Sequence, residues 1–488
     1  MTMLMRYATL FAFVLSPLLA FAQTGDNWTL ERAVDYALTN NLQVRQLENA
    51  AELAAIGLDQ ARAGRLPTLS GSSNVGLQFG RTIDPTTNTF DQQTIGFQGY
   101  QLNGGITLYQ GGAIRNGIRQ AELDNAAAEM DAKVTANNVG LQVANSYLNI
   151  VLFREQLRNA EAQLQLSTDQ LANTDALINA GALPPAQRFD LLAQQAAARR
   201  TVTELENQVI AATLGLKILL ELDYNEPFEV VIPSVELSED RLLESFDLEE
   251  VFLSARSTQP TVAAAELRRE SATVLTDLAK ANYLPVVSLF GSVSTNFSSV
   301  AKDFTNPGFT TPPEFEFGQA VPVQINGQEA LLAELVAVGD PPSFPTIGYF
   351  NQLDRNFGQS VGASVSIPIY RQGRKRLDLQ SARVQQENAQ LNVEIAENNL
   401  RNDVQLAINN LRAAQENFRA ARTSQEAAEQ AYENAQRRFR AGTANSFDLV
   451  TATNQLDQAR TEFTRSKYQL IFNRQVIRFY LGQGFSFE

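Results

Sequence analysis

Two aspartates at matching points of the chain are the residues best placed to do chemistry. Asp190 lies in LINAGALPPAQRFDLL (177–192) and Asp448 in RRFRAGTANSFDLV (437–450), each after a glycine and a few turn residues. A carboxylate near the start of a helix can stabilise that helix or attract cations. The 488 residues include no cysteine and no histidine, which excludes disulfides, thiolate and histidine metal sites, and histidine-based catalytic triads. Carboxylate chemistry remains, and no cofactor is predicted.

The composition and the first residues indicate an exported protein. The net charge of −14 disfavours a nucleic-acid partner. Residues 1–22 combine one early arginine, an apolar run and Ala20-Phe21-Ala22 before Gln23, the pattern of a secretory signal peptide. A retained membrane anchor is the alternative. No later apolar run approaches the ~20 residues of a spanning helix, so any insertion into a membrane has to use β-strands.

The chain after the signal segment repeats itself. Residues 30–70 align with 248–288 at a constant offset of 218, and residues 108–115 align with 369–376 at an offset of 261. Two tandem copies are therefore predicted, at 23–245 and 246–488. The second copy carries 43 extra residues between about 298 and 357, and their proline and glycine content indicates a surface loop.

A 4-3 spacing of apolar and small residues precedes each glycine turn. It runs without interruption from Val139 to Ile178 and from Leu400 to Phe439. Such a seam predicts long helices that supercoil with a left-handed twist. An amphipathic helix of a globular domain is the alternative, but such helices average ~11–12 residues and these run to about 70. Each copy is predicted to place its long helix beside two stacked shorter ones, at 29–66, 186–222, 247–284 and 446–482.

Four segments alternate with a period of two between apolar residues and serine, glycine or asparagine, which predicts strands. Each is long enough to cross a bilayer when tilted, although an exposed sheet on a soluble protein would look similar. Four strands cannot close a barrel, and open edges are not tolerated in lipid, so several identical chains have to combine in a ring. Two chains give eight strands and three chains give twelve; eight strands would leave little lumen. The segments are 69–79, 100–108, 287–294 and 361–369.

Four motifs in this order resemble the TolC-type outer-membrane efflux and secretion channel family: WTLERAVDYALTNN (28–41), ARAGRLPTLS (61–70), LYQGGAIR (108–115) and RFRAGTANSFDLVTA (438–452). The resemblance implies a homotrimer with one 12-stranded transmembrane β-barrel, four strands per chain, continued by a long α-helical coiled-coil barrel in the periplasm. A small mixed domain would ring its middle, and residues 223–245 are assigned to it. The family is not enzymatic. It serves as the exit duct of an inner-membrane pump, joined by a periplasmic adaptor, and its barrel contacts outer-membrane lipid.

The resemblance also assigns a role to the two aspartates. Asp448 would line the closed periplasmic entrance, where a trimer makes it a ring of three, and Asp190 holds the equivalent place in the first copy. The alternative is that both only favour the helix dipole, an effect of ~0.3–1 kcal/mol each. Three positions depart from the family pattern: Thr451 replaces a second aspartate, Ala444 a basic residue, and Phe439 a tyrosine.

The glycine turns themselves are predicted to form the tip that contacts the adaptor. Gly181 and Gly442 suit the left-handed residue that ends a long helix. Solvated turns without a partner are the alternative. For the whole chain, a periplasmic coiled-coil adaptor without a pore and a carboxylate-dependent envelope enzyme are the rival functions. The predicted contact residues are Ala180, Gly181, Ala182, Arg440, Ala441, Gly442 and Thr443.

Overall fold

The computed structural model describes residues 27–83, 90–91, 94–232, 244–308, 314–338 and 344–483; the predicted signal segment lies outside them. The chain divides into two compact units. The helical unit holds the described residues up to 58, residues 119–274 and those from 382 onward. The sheet unit holds residues 59–118 and 275–381.

The elements of the first half follow the predicted order of short helices, strand pair, long helix and short helix. In chain order they are β1 (Asn27–Trp28), α1 (Leu30–Asn40), α2 (Leu42–Ala63), β2 (Thr68–Gln78), β3 (Thr82–Ile83), β4 (Phe90–Asp91), β5 (Ile95–Gln110), α3 (Ala113–Asn179), α4 (Gln187–Leu219) and β6 (Glu229–Val230).

The second half repeats this order with additional strands and one short helix. Its elements are α5 (Leu248–Thr258), α6 (Pro260–Ala281), β7 (Val286–Ser298), β8 (Glu314–Phe317), β9 (Val321–Ile325), β10 (Gln328–Leu332), β11 (Leu335–Val338), α7 (Tyr349–Arg355), β12 (Gly358–Ser366), α8 (Arg374–Arg440) and α9 (Ser446–Tyr480).

The long helices are present at the predicted length. Both α3 and α8 have 67 residues, or about 100 Å at 1.5 Å per residue. The predicted seam faces the interior: Val139, Val143 and Leu171 are buried in α3, and the seam positions of α8 are buried from Leu400 to Ala421. A continuous apolar seam, rather than helix propensity, therefore holds these helices in place.

The predicted continuous helices 29–66 and 247–284 are wrong, because each is two helices. The breaks fall at Asn41 and Gln259, which are 218 residues apart and both extended, with ψ of 130° and 127°. Asn41 ends α1 and starts α2: its Oδ1 accepts the backbone N–H groups of Gln43 (2.9 Å) and Val44 (3.4 Å). Gln259 precedes Pro260, and a residue before proline is excluded from the helical region.

Tyr147 lies in one of the two core clusters that the described residues of the helical unit form. Its hydroxyl donates to the backbone carbonyls of Trp28 (2.9 Å) and Val231 (2.6 Å). These carbonyls flank β1 and β6, which pair in parallel through Asn27 with Glu229 and Trp28 with Val230. Residues 229–231 of the 223–245 linker thus pair with the start of the first repeat.

The sheet unit contains one four-stranded antiparallel sheet in the order β12-β7-β5-β2. All four predicted strands are in it, although the last one ends at Ser366 rather than at residue 369. Two phenylalanines on its polar face cover glycines: a Cβ at Gly76 would lie 2.6 Å from Phe97, and one at Gly362 would lie 2.7 Å from Phe290. The outer strands are β2 and β12, each paired on one side only within the described residues.

The 43-residue insert is more regular than the loop that its composition predicts. Its described part forms two antiparallel pairs, β8 with β11 and β9 with β10, and the short helix α7. Asn326 and Gly327 connect β9 to β10 with positive φ angles of 52° and 78°, as a tight hairpin turn requires. The proline and glycine content marks the connections and hides the strands between them.

No helix in the described part of the chain has both the length and the apolar character that crossing a membrane requires.

We predict that Tyr147→Phe destabilises the helical unit by about 1–3 kcal/mol, because the buried residue loses its hydroxyl contacts with the Trp28 and Val231 carbonyls. Thermal loss of the helical circular-dichroism signal measures the effect. Tyr468→Phe is the matched control: this tyrosine is also buried, but its hydroxyl makes no hydrogen bond to a described residue. An equal loss in both variants would contradict the role of the two hydrogen bonds.

The Tyr147→Phe variant also tests a pH dependence. Burial, reinforced by the carboxylate of Glu31, raises the pKa of Tyr147 above its ordinary value of 10. The folded state therefore favours the neutral phenol, and its contribution is lost as the pH rises above about 10, where the unfolded chain releases the proton. The parent should lose more stability above this pH than Tyr147→Phe.

Candidate functional site

Both glycine turns have the geometry that their sequence predicts. Gly181 and Gly442 have φ angles of 73° and 72°. At the first turn, the N–H of Gly181 donates to the carbonyl of Ile178 (2.9 Å), and the N–H of Ala182 donates to that of Leu177 (2.9 Å). The second turn has the same two bonds, from Gly442 and Thr443. This Schellman pattern satisfies the last carbonyls of α3 and α8 and stops each helix.

The helices that follow begin in different ways. In α9 the N-cap is Asn445, whose Oδ1 accepts the N–H of Asp448 at 2.9 Å; Ser446, predicted to start the helix, is its first helical residue. In α4 the cap is Ala186, which makes no side-chain hydrogen bond. The turn before it is closed by the carbonyls of Pro184 and Pro185, which accept the N–H groups of Gln187 (3.2 Å) and Arg188 (3.3 Å). Both aspartates lie in the first turn of their helix, as expected.

The two copies meet through one of the two aspartates. Ser446 Oγ donates to Asp190 Oδ2 at 2.8 Å, which joins the start of α9 to the start of α4. Arg188 holds the place in α4 that Ser446 holds in α9, and it forms an ion pair with Asp175 of α3 instead (Nε to Oδ1, 2.9 Å). Equivalent positions therefore make different contacts, so Asp190 and Asp448 are not interchangeable.

The other predicted gate residues lie around Asp448. Asp448 and Thr451 are exposed, and the Thr451 hydroxyl donates to the carbonyl of Phe447 within the helix (2.8 Å). Phe439 is half-buried, one turn before Gly442. All seven predicted adaptor-contact residues are exposed. A Cβ at either glycine would meet no neighbouring atom, so the turns are open to a partner.

A cleft of about 410 Å³ opens beside Asp190. It lies between α3, α4 and α9 and combines carboxylates, amides and one exposed ring. Burial raises the pKa of Asp457, and Arg460 partly opposes that effect. Within the described residues no cluster of carboxylates has the geometry to hold a metal ion. The residues that line the cleft include Gln163, Asp190, Gln194, Thr201, Phe447, Asn454 and Asp457.

Four polar side chains are buried beneath the tip; Ser167 and Thr174 lie on the predicted seam, whereas Gln170 and Gln194 were not predicted. Ser167, Gln170 and Thr174 of α3 are at least 90% buried, and so is Gln194 of α4. Neither the amide oxygen nor the amide nitrogen of Gln194 has a hydrogen-bond partner among the described residues. The sequence did hold a signal, because the equivalent positions of the second copy are all alanine: Ala428, Ala431, Ala435 and Ala452.

This chain resembles outer membrane proteins in sequence and in fold. The sequence model of the outer membrane efflux protein family matches residues 33–220 and 252–483. An uncharacterised protein of Haemophilus influenzae is 24% identical over 287 residues, 58% of this chain and 60% of that protein. The pyoverdine export outer membrane protein OpmQ of Pseudomonas putida is 27% identical over 279 residues, 55% of each chain. The chain thus spans less than two thirds of these relatives.

A solved structure shares the fold over almost the whole chain. The outer membrane protein VceC of Vibrio cholerae superimposes with a TM-score of 0.71 at 16% identity, over 94% of this chain and 97% of that one. The chain therefore shares its fold of long helices and strand pairs with VceC.

We predict that Gln194→Leu stabilises the helical unit by about 1–3 kcal/mol, because it removes a buried amide without a partner and keeps a similar volume. Gln195→Leu is the control, since Gln195 donates to Thr168 Oγ1 (2.9 Å) and its loss should destabilise. Thermal unfolding of both variants measures the difference. A lower stability of Gln194→Leu would mean that a neighbouring copy or water satisfies the amide.

Proposed function

Because this chain belongs to the outer membrane efflux protein family, we propose that it forms the exit duct of an efflux or secretion assembly in the outer membrane. The observation that carries the proposal is the four-stranded antiparallel sheet, whose outer strands β2 and β12 have one open edge each within the described residues. Its exposed side chains include Leu69, Val75, Val361 and Val365, at 63–89% exposure. Such a surface suits contact with lipid.

The open edges support a trimer. Backbone groups at a sheet edge cannot stay unpaired in hydrocarbon, so β12 of one chain has to pair with β2 of the neighbouring chain. A head-to-tail contact of this kind closes into a ring when the rotation permits it. Three chains supply twelve strands, which are enough to enclose a lumen. In a barrel of eight strands, the side chains would fill the interior.

The exposed Asp448 supports a gate at the tip. In a three-fold ring, the Asp448 carboxylates of the three chains would face one axis and favour cations there. Asp190 accepts a hydrogen bond from Ser446 and so holds the two helical hairpins of one chain together. Thr451 and Ala444 offer no charged latch, so in this proposal the Ser446–Asp190 bond, not an ion pair, resists opening. The transported substrate is proposed only as a class: small molecules tolerated by a polar, mildly cation-preferring lumen.

The open glycine turns support contact with a periplasmic adaptor that connects to an inner-membrane pump. Helix hairpins end there in exposed backbone and short side chains, from Ala180 to Ala182 and from Ala441 to Thr443. A second helical hairpin can approach such a surface closely, because no bulky side chain separates the backbones.

We predict that Asp448→Asn weakens block of the channel by divalent cations in planar bilayers, by roughly ten-fold or more. The reason is that three negative charges leave a single constriction. Glu462→Gln is the matched control: it removes the same charge from an exposed site on the same helix, fourteen residues or about 21 Å further along. Equal changes in both variants would count against the gate and leave the channel in place.

The adaptor contact can be tested by cross-linking, because the chain contains no cysteine of its own. We predict that Thr443→Cys, treated with a thiol-reactive cross-linker in cells, forms a covalent product with a periplasmic partner rich in helical hairpins, identified by mass spectrometry. Arg199→Cys on the exposed surface of α4 serves as control and should form none. A conducting channel that yields the product at Arg199→Cys alone would exclude the tip as the docking site.

A further inference from the structure

Four basic residues occupy the connection from β12 to α8. They lie in RQGRKR (371–376), and we call this segment the basic turn. Arg371, Arg374 and Arg376 are exposed, and Lys375 is half-buried. This density of positive charge is unusual in a chain whose net charge is −14. It belongs to none of the features that the proposed exit duct uses.

The fold of the turn does not require three of these four charges; the fourth, Arg376, has Arg115 as its counterpart in the first copy. The first copy makes the same connection from β5 to α3, with positive φ at Gly111 (60°) and Gly112 (82°), against 52° and 75° at Gln372 and Gly373. The backbone is therefore alike in both copies. At the positions of the first two arginines and the lysine, the first copy has Gln110, Ala113 and Ile114.

The charges also oppose the helix that they start. Arg374, Lys375 and Arg376 lie in the first turn of α8, where the helix dipole is positive, and that turn has no acidic residue. Lys375 is held within the chain, because its ammonium group donates to the carbonyl of Pro368 and lies 5.2 Å from the ring centroid of Tyr283. None of the ion pairs in the described residues includes Arg371, Arg374 or Arg376. These three guanidinium groups are therefore accessible to an anion from outside the chain.

The residues before the basic turn indicate which kind of anion. Ile367, Ile369 and Tyr370 are 64%, 92% and 80% exposed. The two isoleucines continue the alternating apolar series of β12 in sequence, and the tyrosine separates them from the arginines. Apolar residues, an aromatic ring and basic residues in this order are typical of a membrane–water boundary, where arginine reaches the headgroups.

We infer that the basic turn binds the phosphate of an anionic glycerophospholipid in the leaflet that faces the periplasm; this rests on the proposed placement of the sheet in the outer membrane. Arginine suits the task because its planar guanidinium can bind two phosphate oxygens at once. A cleft of about 560 Å³ at the turn offers room for the headgroup. It is lined by Asn282, Tyr370, Arg371, Gln372, Arg374, Lys375 and Asp378.

The test replaces two arginines by the residues of the first copy, as Arg371→Gln with Arg374→Ala. The purified, detergent-solubilised channel is titrated with phosphatidylglycerol or phosphatidylcholine, and native mass spectrometry counts the lipids retained. The parent should prefer phosphatidylglycerol. The variant should bind it about thirty-fold more weakly, the effect of two basic residues at an anionic surface. Arg199→Gln with Arg412→Ala is the matched control: it removes two exposed arginines of the helical unit and should behave like the parent.

Three results would overturn the inference: no preference in the parent, equal loss in the control, or complete displacement of the lipid by excess inorganic phosphate, which would indicate a site for free anions. Dissociation of the variant into single chains would instead assign the arginines to a contact between neighbouring chains. Planar-bilayer conductance of the same samples separates this test from the proposed function. A conducting parent without lipid preference refutes only the lipid site, whereas a parent that retains the lipid but never conducts refutes the duct.

Discussion

The backbone hydrogen bonds at the two edges of the sheet are the constraint on which the rest of the structure depends. Within the described residues, β2 and β12 each use only one side for pairing. Unpaired N–H and C=O groups cost several kcal/mol each in hydrocarbon, which far exceeds what a single side-chain contact returns. In the proposed barrel, a chain with four such strands is therefore incomplete by itself, and strands of further chains complete it. The exposed apolar residues of the sheet then face lipid.

The sequence predicted the regular elements well, because their periodicity is long and uninterrupted. A 4-3 seam over more than ten turns allows only a long helix, and 67-residue helices lie where it predicts them. Alternation with a period of two placed all four strands of the sheet. The glycine turns were equally legible, since a left-handed residue after a helix strongly favours glycine. In each case a local rule and the tertiary structure require the same residue.

The remaining features depend on contacts that no local pattern encodes. The break at Asn41 arises because its side chain both accepts from the next helix and donates to the Leu219 carbonyl of α4, 178 residues away. The bond from Ser446 to Asp190 joins the two halves of the chain, and the sequence shows only that both residues are polar. The strands of the insert were missed because frequent proline and glycine mask short antiparallel pairs. These side chains and strands are specified by their neighbours in space.

Differences between the two copies identify the functional positions more sharply than either copy alone. Both copies solve the same folding problem, so a residue that the fold needs should recur at equivalent positions, as the two turn glycines and the breaks at Asn41 and Gln259 do. A position that differs has been released from that need. Asp190 and Asp448 are both exposed, but only Asp190 accepts a hydrogen bond from Ser446. Arg371 and Arg374 of the basic turn stand where the same backbone in the first copy carries Gln110 and Ala113. Under the two proposals made above, one half of the chain stabilises the hairpin while the equivalent positions of the other half present charge to a ligand.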